Sequence, residues 1–402
     1  MGNEFMKFVV KETKVKLRNG DVVSYASINL QDTRDGFSVV HPVTDFIRSR
    51  YATKGNYNTQ RGPAQTIKRF LNWLLIDNQH TYGLCSFEDL QIKHGVEYLN
   101  YLGEERANSR TTVKLAERYL VEFYYFLNRR GILAKECAVM LKTTNGKTGS
   151  IVSPFSNEGL ALPSRAIAQT KINDFPDKRM ITLFIETAQL VAPEIAFGIY
   201  LQCFGGLRRG EVVNLDRSSI EAKGSYGVNG MQVEIKDRPS LFSRMRDVGV
   251  KNSVKNPRIQ GIQVIPLLSE LYRNHLALTD SNTHVSQPLF IDTQGNPMSG
   301  TIYERRFNKV KSAFMKRLQD MNSPHFSHLA KYAWGTHIGR GIYTNLMASL
   351  VKTPTELALL RGDKTLDAAI PYMAMMRVQN EIKQGLDDMY NKGELKFLDS
   401  EE

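Results

Sequence analysis

The chain has 402 residues, enough for two or three domains, and its 42% hydrophobic and 23% charged content is ordinary for a globular protein. Lys and Arg outnumber Asp and Glu by 53 to 41, and this excess favours a polyanionic partner because neutralised phosphates release counterions. We expect a cytoplasmic protein without a membrane partner, since the sequence lacks both a signal-peptide pattern and an apolar run of ~18 residues. Three widely spaced cysteines, Cys85, Cys137 and Cys203, fit neither a disulfide framework nor a zinc site.

Residues 1–40 predict an N-terminal β-hairpin extension. Polar and apolar side chains alternate over residues 14–17, Asn19-Gly20 supplies a tight turn, and the apolar pair Val22-Val23 follows. We expect this hairpin to cover a domain edge; a small DNA-contacting arm is the alternative.

Residues 41–133 predict a helical domain. Apolar positions recur at helical spacing in four segments, and Gly131 lies where the last of them should end. Several basic residues on these segments are either a DNA-binding face or ordinary solvated positions, and the net charge favours DNA. The four segments are residues 42–51, 63–76, 87–102 and 111–128.

Residues 134–175 have the composition of an interdomain linker. Within it, Gly146-Lys147-Thr148 imitates the end of a nucleotide-binding P-loop. Leu141 stands where that motif needs its first glycine, and the preceding residues do not have a strand pattern. We therefore expect no nucleotide cofactor.

Residues 176–402 predict a second domain of mixed α/β structure with a C-terminal helical tail. A long apolar helical region is interrupted near Pro193, and two strand patterns enclose a basic insert. Thr353 and Glu356 have the spacing of a helix-capping box. The tail places Ile382, Leu386 and Met389 on one helical face, which docks either on a second copy or back on its own domain. The strands are expected at residues 231–235 and 261–266, and further helices at 301–318, 339–350, 355–360 and 377–390.

Four signals follow one another along this second domain. Gly206–Glu211 (GLRRGE) comes first and a lysine in the basic insert comes second. His337–Arg340 (HIGR) is third, and Gly362 followed by Tyr372 is fourth. Each signal alone is compatible with helix capping or core packing, but the four in this order point to one site.

The order of these signals resembles that of the tyrosine recombinases, or phage integrases. The first signal resembles their Gly-Leu-Arg-x-x-Glu box, the third their His-x-x-Arg box, and residues 359–362 their leucine-leucine-glycine segment before the nucleophile. The helical domain resembles their core-binding domain, so the resemblance covers roughly residues 40–390. It implies a mainly α fold with a small β-sheet, in which a helical core-binding domain and a mixed α/β catalytic domain clamp duplex DNA.

The chemistry of DNA strand cleavage requires these residue types independently. Attack on a phosphodiester builds negative charge on its nonbridging oxygens, and fixed arginine forks are well suited to stabilise it. We expect Arg208 and Arg340 to fill that role and His337 to donate a hydrogen bond or assist proton transfer. Tyr372 would be the nucleophile, and two nearby guanidinium groups should lower its phenol pKa from ~10.

A lysine is expected to protonate the leaving 5′ oxygen. Lys255 is chosen because it precedes the second predicted strand at about the distance that the resemblance implies, while Lys251 and Lys236 stay open. Glu211 is expected to hold one arginine in place rather than to contact DNA.

Two positions depart from the family pattern. Histidine or tryptophan usually follows the glycine of the fourth signal, but here that residue is Asp363. A carboxylate repels phosphate unless it is protonated or paired, and Arg361 is placed to pair with it or replace it. Pro371 precedes Tyr372 and restricts the backbone before the predicted nucleophile.

The resemblance implies a site-specific recombinase or integrase that forms a 3′-phosphotyrosine intermediate and works as a tetramer on two DNA sites, without metal or cofactor. A type IB topoisomerase-like enzyme and a catalytically inactive DNA-binding relative are the alternatives. The first arginine box and the spacing of His337 argue against the topoisomerase, whereas Asp363 keeps the inactive relative open. His325 and His328 have no cysteine or carboxylate neighbour in sequence to complete a metal site.

Overall fold

The computed structural model describes residues 5–16, 18, 22–52, 57–84, 86–134, 153–164, 171–242, 254, 256–279, 287–363, 365–367 and 369–391. The chain divides into two compact units, residues 1–168 and 169–402. Helices dominate the described part, and each unit contains a three-stranded antiparallel sheet. The expectation of a mainly α fold with small β-structure is confirmed. In the ranges given above, no helix is long and apolar enough to cross a membrane.

A sheet of order β1-β2-β3 opens the first unit. Strand β1 (Met6–Lys16) pairs antiparallel with β2 (Val22–Asp32), and β3 (Ser38–Val40) adds to the other edge of β2. Both strands of the predicted hairpin form, although its turn at Asn19-Gly20 lies outside the described residues. They extend well beyond the predicted segments because the register continues for eleven residue pairs.

This sheet packs against the helices of the same unit. Phe8 and Ile28 are buried in one hydrophobic core with the helical residues. The backbone N–H of Phe8 donates to Asn72 Oδ1 at 2.7 Å, and that of Ala26 donates to Gln60 Oε1 at 3.0 Å. Side chains of one helix therefore satisfy backbone groups of the sheet, which fixes the two layers against each other.

The helix that carries Gln60 and Asn72 begins earlier than the sequence predicts. Pro63 was expected near its first turn, but the helix starts at Tyr57 and contains Pro63 as a buried residue. Packing of this face on β1 and β2 compensates for the hydrogen bond that proline cannot donate. The helices of the unit are α1 (Thr44–Ile47), α2 (Tyr57–Asn72), α3 (Gln79–Tyr82), α4 (Ile92–Glu104) and α5 (Arg110–Arg129). Wider π-type turns follow at Arg48–Ala52 and Trp73–Asp77, and 3-10 turns lie at Phe87–Asp89 and Phe155–Asn157.

The second unit is built around α7 (Pro193–Gly205), a helix that is buried from Ile195 to its end. Nearly every residue of α7 is apolar and buried, as expected for a helix surrounded by other elements. It is separated from α6 (Arg179–Val191) at the predicted break, because Pro193 starts the new helix in its first turn. The other helices are α8 (Arg209–Val213), α9 (Leu267–Thr279), α10 (Gly300–Asp320), α11 (Phe326–Lys331), α12 (His337–Ala348), α13 (Pro354–Arg361) and α14 (Ala369–Asn391).

A second antiparallel sheet lies in this unit, in the order β4-β5-β6. Its strands are β4 (Ile220–Lys223), β5 (Gly230–Ile235) and β6 (Arg258–Ile262). Strand β6 starts three residues before the predicted segment, because Arg258 pairs with Ile235 at the end of the ladder, and it ends at Ile262, so residues 263–266 are not part of it. Short 3-10 turns lie at Arg217–Ser219, Ser225–Gly227 and Pro239–Phe242.

The C-terminal helices form where they are predicted, but α14 begins at Ala369, eight residues before the predicted start. Thr353 and Glu356 form the capping box that starts α13: the Thr353 hydroxyl accepts from the Glu356 N–H at 3.2 Å, and the carboxylate accepts from the Thr353 N–H at 3.3 Å. Along α14, Ile382, Leu386 and Met389 are all exposed.

Gly341 gives a direct test of packing in the second unit. A Cβ at this position of α12 would overlap the backbone carbonyl of Asn173. Gly341→Ala should therefore lower the free energy of unfolding by about 1–3 kcal/mol, measured by denaturant titration. Gly261→Ala is the control, because an added Cβ there meets nothing within 4 Å. An unchanged stability for Gly341→Ala would contradict the close contact.

Candidate active site

The end of α7 places the first predicted site residue. The helix terminates at Gly206, which has a left-handed φ of +67°, and a Cβ there would overlap the ring of Tyr343. Arg208 follows in extended conformation and caps α8, with its N–H donating to Glu211 Oε2 at 2.8 Å. The Gly-Leu-Arg-x-x-Glu segment is thus the tight turn between α7 and α8, and this turn fixes the position of Arg208.

Glu211 is completely buried and holds two arginines rather than one. Arg208 Nη1 donates to its Oε1 at 3.0 Å, and Arg258 donates from Nη1 and Nη2 to its two oxygens at 3.0 and 3.3 Å. Burial alone would raise the pKa of Glu211, but the bonds and charges of Arg258 and Arg208 outweigh it, so that the pKa lies below its ordinary value. This carboxylate is therefore ionised at neutral pH.

Helix α12 carries His337 and Arg340 one turn apart. His337 is exposed at the first position of the helix, whereas Arg340 is buried. Arg340 Nη1 donates to the carbonyl of Gly206, and Nη2 donates to the carbonyl of Arg361 at 2.9 Å. Burial and the neighbouring charge of Arg208 lower the pKa of Arg340 to about 10, and it still carries its charge at neutral pH.

Asp363 lies between the arginines. Helix α13 ends at Arg361 and is capped by Gly362, whose φ is +64° and whose missing side chain makes room for Arg258. Asp363 Oδ1 then accepts from Arg340 Nη2 at 2.7 Å and from Arg208 Nη2 at 3.3 Å. Its Oδ2 lies 3.0 Å from Arg361 Nε. The departure from the family pattern therefore places a carboxylate in contact with both predicted phosphate-binding arginines and with Arg361.

Together these side chains form the arginine cluster, which comprises Arg208, Arg258, Arg340, Arg361, Glu211 and Asp363. Four guanidinium groups and two carboxylates leave the cluster with an excess of positive charge. Its members come from the α7–α8 junction, β6, α12 and the end of α13. Such a concentration of partly buried guanidinium groups is suited to an anion with several oxygens.

Two hydrogen bonds join the start of β6, the strand that begins at Arg258, to the end of α13 and the turn that follows it. Asn256 Nδ2 donates to the carbonyl of Gly362 at 2.9 Å, and Gln260 Nε2 donates to the carbonyl of Leu360 at 2.9 Å. Sequence reasoning did not identify Asn256, Arg258 or Gln260 as site residues. Arg258 was visible only as one more basic residue, because its partner Glu211 lies 47 positions earlier in the chain.

The loop before His337 is held by two further residues that the sequence did not point to. Lys311 Nζ donates to the carbonyl of Trp334 at 2.9 Å and lies 4.5 Å from the centre of its indole ring. Gln202 Nε2 donates to the carbonyl of Thr336 at 3.3 Å. These contacts fix the entry into α12 and hence the position of its first residue.

The remaining predicted residues are placed only in part. Tyr372 is the fourth residue of α14, and its side chain lies outside the described structure. Pro371 occupies the third position of that helix, where a backbone N–H is not needed for helical hydrogen bonds.

Of the three lysine candidates, only one is described. Lys255 and Lys251 lie outside the described residues. Lys236 is half-exposed, and its Nζ lies 2.8 Å from Glu234 Oε2. Within the described ranges, no three or more His, Cys, Asp and Glu side chains are grouped to hold a metal ion.

Glu211 gives a test of this electrostatic arrangement. Glu211→Gln should lower the free energy of unfolding by about 3–5 kcal/mol at neutral pH, since Arg208 and Arg258 would face a neutral amide. Because the folded pKa of Glu211 is depressed, the difference from wild type should be full above pH 4.5 and shrink as the pH falls below it. Asp177→Asn, which removes the partner of the exposed Arg179, should show no comparable loss. A pH-independent difference would contradict the assignment.

Neither protein-family models nor curated proteins match the chain. Among solved structures, the Tn1549 transposon integrase in complex with circular intermediate DNA matches with a TM-score of 0.53 at 15% identity, over 84% of this chain and 98% of that one. The XerH site-specific recombinase bound to difH substrate matches with a TM-score of 0.51 at 12% identity, over 80% and 78%. The chain therefore shares the fold of the Tn1549 integrase and of XerH, and the mainly α fold with a small β-sheet that its resemblance to tyrosine recombinases implied is confirmed.

Proposed function

We propose that this protein is a site-specific DNA recombinase or integrase, which cleaves and rejoins DNA through a 3′-phosphotyrosine intermediate. The observation that carries the proposal is that Arg208 and Arg340 donate to one and the same oxygen, Asp363 Oδ1. Two guanidinium groups that share one anionic oxygen can also share the oxygens of a phosphodiester. The fold common to the Tn1549 integrase and XerH, both solved with DNA, supports DNA as the source of that phosphate.

The described geometry supports a separate role for each predicted site residue in the reaction. Arg208 and Arg340 bind the nonbridging oxygens and stabilise the charge that develops on them. His337, exposed at the N-terminus of α12, donates a further hydrogen bond or assists proton transfer. The Tyr372 oxygen forms the new bond to phosphorus as the bond to the 5′ oxygen breaks, and the phenolic proton is released. Rejoining reverses these steps with a 5′ hydroxyl as the nucleophile.

Lys255 remains our choice for the acid that protonates the 5′ oxygen. Its neighbour Asn256 is bonded to Gly362, so the chain passes next to the arginine cluster at this point. Lys236 is less suited, because its ammonium group is already paired with Glu234. Lys251 stays the alternative.

The proposal includes the domain plan and assembly expected from the sequence. A core-binding domain (41–133) and a catalytic domain (176–402), joined by a linker (134–175) and preceded by the hairpin extension (1–40), would hold duplex DNA in the cytoplasm. A tetramer would join two sites. The exposed apolar residues Ile382, Leu386 and Met389 on α14 support contact with a second copy. We expect the reaction to need neither metal nor nucleotide.

Covalent trapping tests the proposed nucleophile. Wild type, incubated in chelator with nicked duplexes from the DNA that flanks its own gene, should give a protein–DNA adduct on a denaturing gel, and Tyr372→Phe should give none because it has no hydroxyl. Tyr226→Phe, at an exposed tyrosine of the same unit, should keep the adduct. An adduct that survives in Tyr372→Phe would rule out this nucleophile. DNA binding by wild type without an adduct would favour the inactive DNA-binding relative.

The two arginines give a second test. Arg208→Lys and Arg340→Lys should each slow adduct formation by about 10²–10³-fold, because lysine cannot hold two phosphate oxygens in a fixed fork. DNA affinity should change far less, since many other contacts hold the duplex. Arg179→Lys, at an exposed arginine, serves as the control. Single-turnover rates at saturating DNA check the expectation, and equal rates for Arg340→Lys and wild type would contradict it.

A further inference from the structure

The two oxygens of Asp363 face different partners. Oδ1 accepts hydrogen bonds from both Arg208 and Arg340, the two arginines that bind the DNA phosphate in the proposed reaction. Oδ2 lies 3.0 Å from Nε of Arg361, an ion-pair distance without the alignment of a hydrogen bond. One edge of the carboxylate thus occupies the phosphate-binding forks, while the other edge contacts an arginine with no role in the proposed chemistry.

A phosphate that takes the place of Oδ1 between Arg208 and Arg340 displaces the carboxylate from them, because the N–H groups that bond Oδ1 cannot serve both anions. The side chain of Asp363 is only 11% exposed. A buried carboxylate that loses its partners is strongly unfavourable unless another cation remains in contact with it. The binding of phosphate therefore depends on whether a cation stays in contact with Asp363.

Arg361 is placed to be that remaining partner. Its side chain is 9% exposed, and it is anchored at the end of α13, next to Gly362. Its backbone carbonyl accepts from Arg340 Nη2 at 2.9 Å, so the residue also lies directly beside the phosphate-binding fork. The arrangement parallels that of Glu211, which bonds Arg208 on one side and Arg258 on the other. Each carboxylate of the arginine cluster thus contacts one arginine outside the proposed chemistry.

We propose that Arg361 is a positioning residue that retains Asp363 through Oδ2 while DNA phosphate takes Arg208 and Arg340 from Oδ1. By offsetting the charge of Asp363, it leaves the charges of the other two arginines available to the phosphate. The inference rests on the proposed function for the identity of the phosphate, but the exchange of anions at the two arginines can be followed separately with inorganic sulfate.

A double-mutant cycle on Arg361 and Asp363 tests this role. Arg361→Met should slow single-turnover adduct formation by about 10-fold or more when Asp363 is present, because the carboxylate then stays on Arg208 and Arg340. In the Asp363→Asn background, the same substitution should change the rate by less than about threefold. Arg361→Lys, which keeps the charge, should remain close to wild type. A purely structural role predicts the same loss in both backgrounds, and that result would overturn the proposal.

Sulfate supplies a readout that does not depend on DNA cleavage. At constant ionic strength, sulfate should raise the Tm of wild type. The increase should be smaller for Arg361→Met and should return to about the wild-type size for the double variant Arg361→Met with Asp363→Asn. An equal sulfate response in all three would overturn the proposal. If sulfate shows this pattern while wild type forms no adduct, the proposed function fails and the role of Arg361 stands. If Arg361→Met does not fold, Arg361→Gln replaces it in the same comparison.

The chain offers a matched control. Asp177 and Arg179 form an ion pair at the same two-residue spacing, with Nη2 2.6 Å from Oδ2, but Arg179 is exposed. Arg179→Met, alone or with Asp177→Asn, should alter neither the adduct rate nor the sulfate response. A change as large as that of Arg361→Met would show that loss of any arginine–aspartate pair suffices, and would overturn the specific role of Arg361.

Discussion

The arginine cluster depends on keeping several guanidinium groups side by side in a largely buried site despite their mutual repulsion. Arg208 and Arg340 come from distant parts of the second unit, and the carboxylates that they contact lower the electrostatic cost of bringing them together. Glu211 and Asp363 supply those carboxylates. Without them, the repulsion between the charges would favour outward rotation of the side chains, which does not suit an anion-binding site.

The surrounding fold serves to bring these groups together. Helix α7 is buried on all sides and ends in a left-handed glycine, which sends Arg208 toward the site. Helix α13 ends the same way and sends Asp363 toward it from another direction. Arg340 then donates to a carbonyl at the end of each helix, those of Gly206 and Arg361. Arg340, which we expect to stabilise the transition state, therefore also connects the ends of two helices through hydrogen bonds.

Local sequence patterns were sufficient for the parts of the site that are local in structure. The Gly206–Glu211 box, the one-turn spacing of His337 and Arg340, and the capping box at Thr353 all lie within single turns or helices. The contacts that join them are long-range and leave no local pattern: Arg258 reaches Glu211, and Asn256 reaches Gly362. Pro63 misled the prediction of a helix start, since packing against the sheet outweighed its local preference. Asp363 stood out in the sequence as a departure, but only the structure gives its three arginine partners, and Lys255 and Tyr372 remain predictions.

A structure of Tyr372→Phe bound to an uncleaved duplex of its own target would test the central claim most directly, namely that the arginine cluster is a phosphate site whose arginines are held in place by paired carboxylates. The account predicts that nonbridging oxygens of one phosphate lie within hydrogen-bond distance of Arg208 and Arg340, with Asp363 still in contact with Arg361. A structure in which both arginines remain bonded to Asp363, and the DNA backbone passes elsewhere, would contradict it.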